Sequence, residues 1–121
     1  MALPTYDFEF VKGETFDLTV DYKDSSGDPI GLATGYTVTM SGRSEADSAS
    51  TLFSISNGSG ITLANTSPNI TIRLSTTVTA ALAAPNSGVY DIRVAETGPS
   101  PDIVKYILTG KFTVYEAVTS A

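Results

Sequence analysis

Residues 6–22 read Tyr6-Asp7-Phe8-Glu9-Phe10-Val11-Lys12-Gly13-Glu14-Thr15-Phe16-Asp17-Leu18-Thr19-Val20-Asp21-Tyr22. Two runs in this stretch alternate with period two. Successive side chains of a strand point to opposite faces, so Tyr6, Phe8 and Phe10 are expected on one face with Asp7 and Glu9 on the other. The second run repeats the pattern, with Phe16, Leu18, Val20 and Tyr22 inward. Lys12–Thr15 has hairpin length, which predicts that the two strands are neighbours. Asp7, Glu9, Asp17 and Asp21 then face solvent, where charge discourages edge-to-edge aggregation.

The same period continues outward from this stretch. Lys23–Pro29 is a turn by composition, because Asp and Ser bond the local backbone and Gly27 tolerates positive φ. After Ile30 and Leu32, Tyr36–Met40 alternates again. Ser41–Ser50 has almost no apolar side chain beyond alanine and reads as a loop or an excursion at the sheet edge. Thr51–Ser56 supplies Phe53 and Ile55, and the Asn57–Gly60 turn then predicts a hairpin that returns Ile61 beside Ile55. Asn69–Leu74 places Ile70, Ile72 and Leu74 inward.

At Ser75–Ala84 the period changes. Ser75 is suited to cap a helical turn, Val78 and Leu82 are four apart, and alanine is the best helix former. Pro85–Gly88 ends the turn. Val89–Val94, Ile103–Leu108 and, past Gly110, Phe112–Tyr115 complete the set, with a loop at Gly98–Pro101. This predicts an all-β fold, an immunoglobulin-like antiparallel β-sandwich of about 7–9 strands with one short helical turn near Thr76–Ala84. Residues 1–121 are expected to form a single domain. In such folds a tyrosine near the start of strand F sends its hydroxyl back to the E–F corner. Tyr90 stands where that residue would, the other reading being a plain core or edge tyrosine.

Composition narrows the chemistry. The 121 residues contain no cysteine, histidine or tryptophan, and thirteen acids against seven bases give a formal charge of −6. There is no thiolate, no Ser-His-Asp triad and no imidazole base, and the commonest zinc ligands are missing. Gly58–Gly60 is followed by no Gly-Lys-Ser/Thr, so it is not a phosphate loop. Asp21, Asp24 and Asp28 lack EF-hand spacing and read as turn residues. Two carboxylates suffice for a glycosidase, but without tryptophan or aromatic-rich loops little would hold a sugar. The expectation is a protein that is not an enzyme, with no catalytic, cofactor-binding or metal-ligating residue and no cofactor. The acidic balance argues against nucleic acid and anionic membranes as partners.

The N-terminus lacks a basic n-region and reads as a mature start without a signal peptide, and no apolar run approaches the ~20 residues of a membrane span. The sequons at Asn57, Asn65 and Asn69 read as chance in a Ser/Thr-rich chain.

Several pieces of the sequence resemble small β-sandwich virion structural proteins of tailed bacteriophages. They are Gly13–Val20, Tyr22–Ile30, Tyr36–Met40, Ile55–Leu63, Ile70–Ser75, Thr79–Leu82, Gly88–Ile92 and Leu108–Val114. Together they are similar, in order, to the N-terminal domain of upper-baseplate proteins that anchor receptor-binding parts. Such proteins usually continue into a longer C-terminal region, and the polar Arg43–Ser50 segment departs from their pattern.

The resemblance implies a non-catalytic assembly or adaptor module of the tail or baseplate, made in the host cytoplasm and carried in the virion. Its partners would be other virion proteins, with multiple copies per particle and a homo-oligomer as one option. A capsid decoration protein on the phage head is the alternative, favoured by the short chain. A carbohydrate-binding or adhesive module is a further one. Met1–Tyr6 and the Ser41–Ser50 loop, least committed to the alternating pattern, are the expected contact segments.

Overall fold

A computed structural model describes residues 4–45, 48, 50–98 and 100–118. Among these, eight strands form: β1 (Phe8–Val11), β2 (Phe16–Val20), β3 (Tyr36–Arg43), β4 (Phe53–Asn57), β5 (Gly60–Leu63), β6 (Ile70–Leu74), β7 (Asn86–Glu96) and β8 (Ile103–Tyr115). One helical turn, α1 (Thr76–Ala80), joins β6 to β7. The period-two pattern decides what is buried. In β6, Ile70, Ile72 and Leu74 are buried while Thr71 and Arg73 are exposed. The helical turn is shorter than expected but is capped as expected, the Ser75 hydroxyl accepting from the Val78 N–H.

The strands belong to one mixed sheet, ordered β1-β8-β7-β3-β4-β5-β6-β2, which curls into a nearly closed barrel. This corrects the expectation of an all-antiparallel arrangement, because β1 lies parallel to β8 and β4 meets β5 in a parallel step. It also corrects the predicted β1–β2 hairpin. β1 and β2 stand at opposite ends of the strand order, β1 with Phe8 opposite Phe112 and β2 with Phe16 opposite Leu74. They meet through side chains: the Phe8 and Phe16 rings stack with centroids 4.4 Å apart, and Phe10 lies 5.8 Å from Phe16. Alternation specifies which face a strand buries and leaves open which strand lies beside it.

The predicted β4–β5 hairpin differs for a local reason. The turn through Gly58 and Gly60, both at positive φ, sets Ser56 beside Gly60 and Asn57 beside Ile61. Ile55 therefore pairs with Met40, and Ile61 with Ile72.

Three strands also run further than the sequence predicted. β3 continues through Gly42, where a side chain would drive its Cβ to 2.3 Å from the Phe53 ring. β7 begins at Asn86 rather than Val89. β8 is continuous through Gly110, which was expected to break it, because the Tyr6 carbonyl crosses so closely that a Cβ there would lie 2.0 Å from its oxygen. A glycine inside a strand can thus mark a close crossing of two backbones rather than a turn.

The interior holds Phe8, Phe10, Val38, Met40, Phe53, Ile55, Ile72, Ile92, Phe112 and Val114, together with Leu32 from outside the strands. Among the described residues two polar side chains are fully buried, and both are bonded. Asn69 donates to the Tyr22 and Ile30 carbonyls at 2.7 and 2.9 Å and accepts from the Tyr22 N–H at 2.8 Å. It therefore joins three chain segments. The Thr79 hydroxyl donates to the Glu14 carbonyl at 2.8 Å, fastening α1 to the β1–β2 link.

Candidate interaction surfaces

The segments expected to carry contacts are partly engaged within the molecule. Pro4–Tyr6 run along β8: the Thr109 N–H donates to the Pro4 carbonyl at 3.1 Å, and the Tyr6 N–H to the Thr109 carbonyl at 2.9 Å. Residues 1–3 lie outside the described residues. Tyr6 was expected in the core but is 46% exposed, its ring stacking on Phe8 at 6.4 Å. Tyr90, on the buried face of β7, donates its hydroxyl to the Tyr6 carbonyl. This corrects the corner assignment, since the partner is the N-terminal strand approach and not the E–F corner. Burial first, then the negative charge of Asp7, raise the Tyr90 phenol far above its ordinary range, so it serves as a permanent donor.

In the second segment, Ser41–Arg43 belong to β3, which corrects the loop boundary. Beyond it the Arg43 guanidinium donates to the Ser48 carbonyl at 2.8 Å, and the Ser44 and Ser48 hydroxyls lie 2.9 Å apart. Residues 46, 47 and 49 fall outside the described residues.

The acids act as ties more than as a cluster. Asp24 accepts from the Ser26 and Asp28 N–H groups at 2.9 and 3.1 Å, which builds the predicted turn. Asp21 accepts from the Ser67 hydroxyl. Asp7 accepts from the Lys111 N–H at 2.9 Å, and Glu9 from the Tyr115 hydroxyl at 3.0 Å, a bond that raises the Tyr115 phenol. Asp17 pairs with Arg73 across β2 and β6 at 2.7 Å; the hydrogen bond lowers the Asp17 carboxyl and raises the arginine. No three acids converge on a metal-sized site among the described residues.

Several shallow grooves mark the surface of the described residues, three of them beside elements already named. One of about 490 Å³ follows the aromatic seam, where Tyr6, Phe8 and Phe16 meet Asp7, Glu9 and Lys111. Another of similar size lies over the β4–β5 turn beside Ser59, Arg73 and Ser75. The third, about 250 Å³, lies between Tyr22, Ile30 and Tyr36 and the far end of β8 at Ile103 and Lys105. That end carries three of the large apolar side chains exposed among the described residues: Ile103, Val104 and Tyr106 are 47, 38 and 48% exposed, the others being Tyr6, Val11, Tyr115 and Val118. Sequence reasoning missed it because Ile103–Leu108 reads as one more ordinary strand. Its usable signal is an apolar residue at consecutive positions, Ile103 and Val104, where a half-buried strand would alternate.

Compared with known protein families and with curated proteins, the sequence matches none.

Proposed function

We propose that this chain is a virion structural protein of a tailed bacteriophage, a non-catalytic assembly or adaptor module of the tail or baseplate that helps anchor fibre or receptor-binding components. The observation that carries this reading is the ordered run of sequence pieces resembling upper-baseplate proteins, spread over nearly the whole chain. The fold is compatible with such a role: a nearly closed sheet in an acidic chain, with exposed apolar side chains toward both ends of β8, suits docking through surface contact.

We also read the sheet as an immunoglobulin-like sandwich whose leaves are β1-β8-β7-β3-β4 and β5-β6-β2. In support, β4 and β5 are joined by only two residue pairs. NMR distance restraints that set the two leaves face to face at about 10 Å would bear this out, and restraints fitting an evenly curved barrel would not.

Mass spectrometry of separated phage tails and heads tests the functional reading. Recovery in tails supports it, recovery in heads replaces it with capsid decoration, and absence from both overturns the virion assignment. The adhesive reading draws on the exposed Tyr6 ring beside Asp7 and Glu9. Glycan-array binding lost in Tyr6→Ala would favour it over assembly.

A further inference from the structure

Strand β8 outruns its neighbour on one side. It pairs with β7 along its length, whereas β1 reaches only Phe112–Tyr115 and the strand approach adds one bridge at Thr109. Among the described residues, nothing pairs with Ile103–Leu108 on that side. An open edge presents unpaired N–H and C=O groups, and proteins usually guard it with charge, proline or a bulge. Here the guards are Lys105 and an irregularity opposite Ile92 and Arg93. Ile103, Val104 and Tyr106 remain exposed, and alternation places them on both faces of the strand.

We propose that this edge is a self-association site, where a second copy of the chain lays its own Asp102–Tyr106 antiparallel to the first across a two-fold axis through Val104. Closed two-fold pairs are the commonest oligomers. An axis normal to the sheet keeps each face on its own side, so only residues of equal parity meet, and this leaves few registers. Centring on Lys105 would set two ammonium groups opposite each other, which is unfavourable. Centring on Tyr106 runs into the irregularity between the Arg93–Tyr106 and Ile92–Leu108 pairs. Centring on Ile103 leaves Tyr106 without an apolar or charged counterpart. Centring on Val104 sets that side chain against its copy, Ile103 against the aliphatic stem of Lys105, and the Tyr106 phenol against the Asp102 carboxylate. The two sheets then continue as one. Each copy carries −6, so long-range repulsion opposes the pair and salt strengthens it, the reverse of an interface held by ion pairs. This inference is independent of the virion reading and stands or falls on the isolated protein.

Sedimentation equilibrium of the full chain up to about 1 mM, at low and high salt, tests it. The mass is expected to rise from 12.6 kDa toward twice that value, further at high salt. Val104→Lys, an exposed substitution that opposes two cations at the axis, is expected to weaken association at least about tenfold while leaving the circular dichroism spectrum unchanged. Amides of residues 103–106 are expected to exchange more slowly as concentration rises. A mass of 12.6 kDa at every concentration and salt would overturn the proposal. So would association untouched by Val104→Lys, or protection of these amides that does not depend on concentration, which would mean that the chain covers its own edge.

Discussion

Gly110 is where the N-terminal approach presses hardest on β8. An alanine Cβ there would stand 2.0 Å from the Tyr6 carbonyl oxygen and 3.0 Å from the Tyr90 ring, against backbone that cannot swing aside. Gly110→Ala is therefore expected to cost about 2–3 kcal/mol, with local displacement of Pro4–Tyr6. Urea denaturation measures it, and an unshifted midpoint would show that the crossing yields freely.

Asp91 offers a test of a different kind. Burial raises its carboxyl above the ordinary range, with Arg43 acting in the opposite direction. A carboxyl held high in the folded state binds its proton more tightly there than in the unfolded chain, so stability declines as pH rises from the ordinary carboxylate range through the raised value. Asp91→Asn is expected to match the native chain below that window and to exceed it above, by less than about 1 kcal/mol because the group is only partly buried and solvent screens it. Paired urea titrations at about pH 3 and pH 7 check the sign. A variant less stable than the native chain at neutral pH would mean that attraction to Arg43 outweighs burial. Asp17 behaves oppositely: its lowered carboxyl contributes stability above the ordinary range that is lost as pH falls.

Among the elements, the seam between β1 and β2 is the distinctive construction. No ladder joins these strands; closure there relies on Phe8, Phe10 and Phe16. Phe16→Ala removes the ring that spans the seam and is expected to cost about 2 kcal/mol, below the range of a fully buried phenylalanine because Phe16 is only half-buried. Hydrogen exchange should quicken in β1 and β2 before β3 and β7, and uniform acceleration would show that the seam is not a separate weak point.

Asn69 shows why part of this construction was illegible. Its parity in the Asn69–Leu74 run groups it with Thr71 and Arg73, both exposed, so alternation predicts an exposed residue. It is fully buried because Tyr22 and Ile30, distant in sequence, cover it and supply its hydrogen-bond partners. Ser75, by contrast, was readable, since a cap depends only on residues three positions away. Likewise the edge at Ile103–Tyr106 is exposed only because β1 aligns with the far end of β8, a register that no local pattern encodes.

At the scale of the whole molecule, the first strand and the last are neighbours, so the sheet is completed only when both ends of the chain are in place. Phe112, fully buried near Phe8 and Phe53, sits at that junction. A chain cut before Phe112 is expected to lose the cooperative fold, since β1 would keep no ladder partner and the core would lose Phe112 and Val114. Dispersed amide resonances and a sharp thermal transition in that truncation would show that closure is dispensable.

The sequence by itself determined the all-β class and, outside the exposed start of β8, the face that strands such as β1, β4 and β6 bury, because period two and the switch to helical spacing at Ser75 act over a few residues. It also set the acidic charge and the lack of imidazole and thiol groups, which are matters of composition. Tertiary structure alone decided that β1 and β2 close a seam instead of forming a hairpin, that the chain makes one mixed sheet, and that Gly110 marks a backbone crossing. Strand partnership is settled by contacts between residues far apart in the chain, where burying the same face against a different neighbour satisfies the same local pattern.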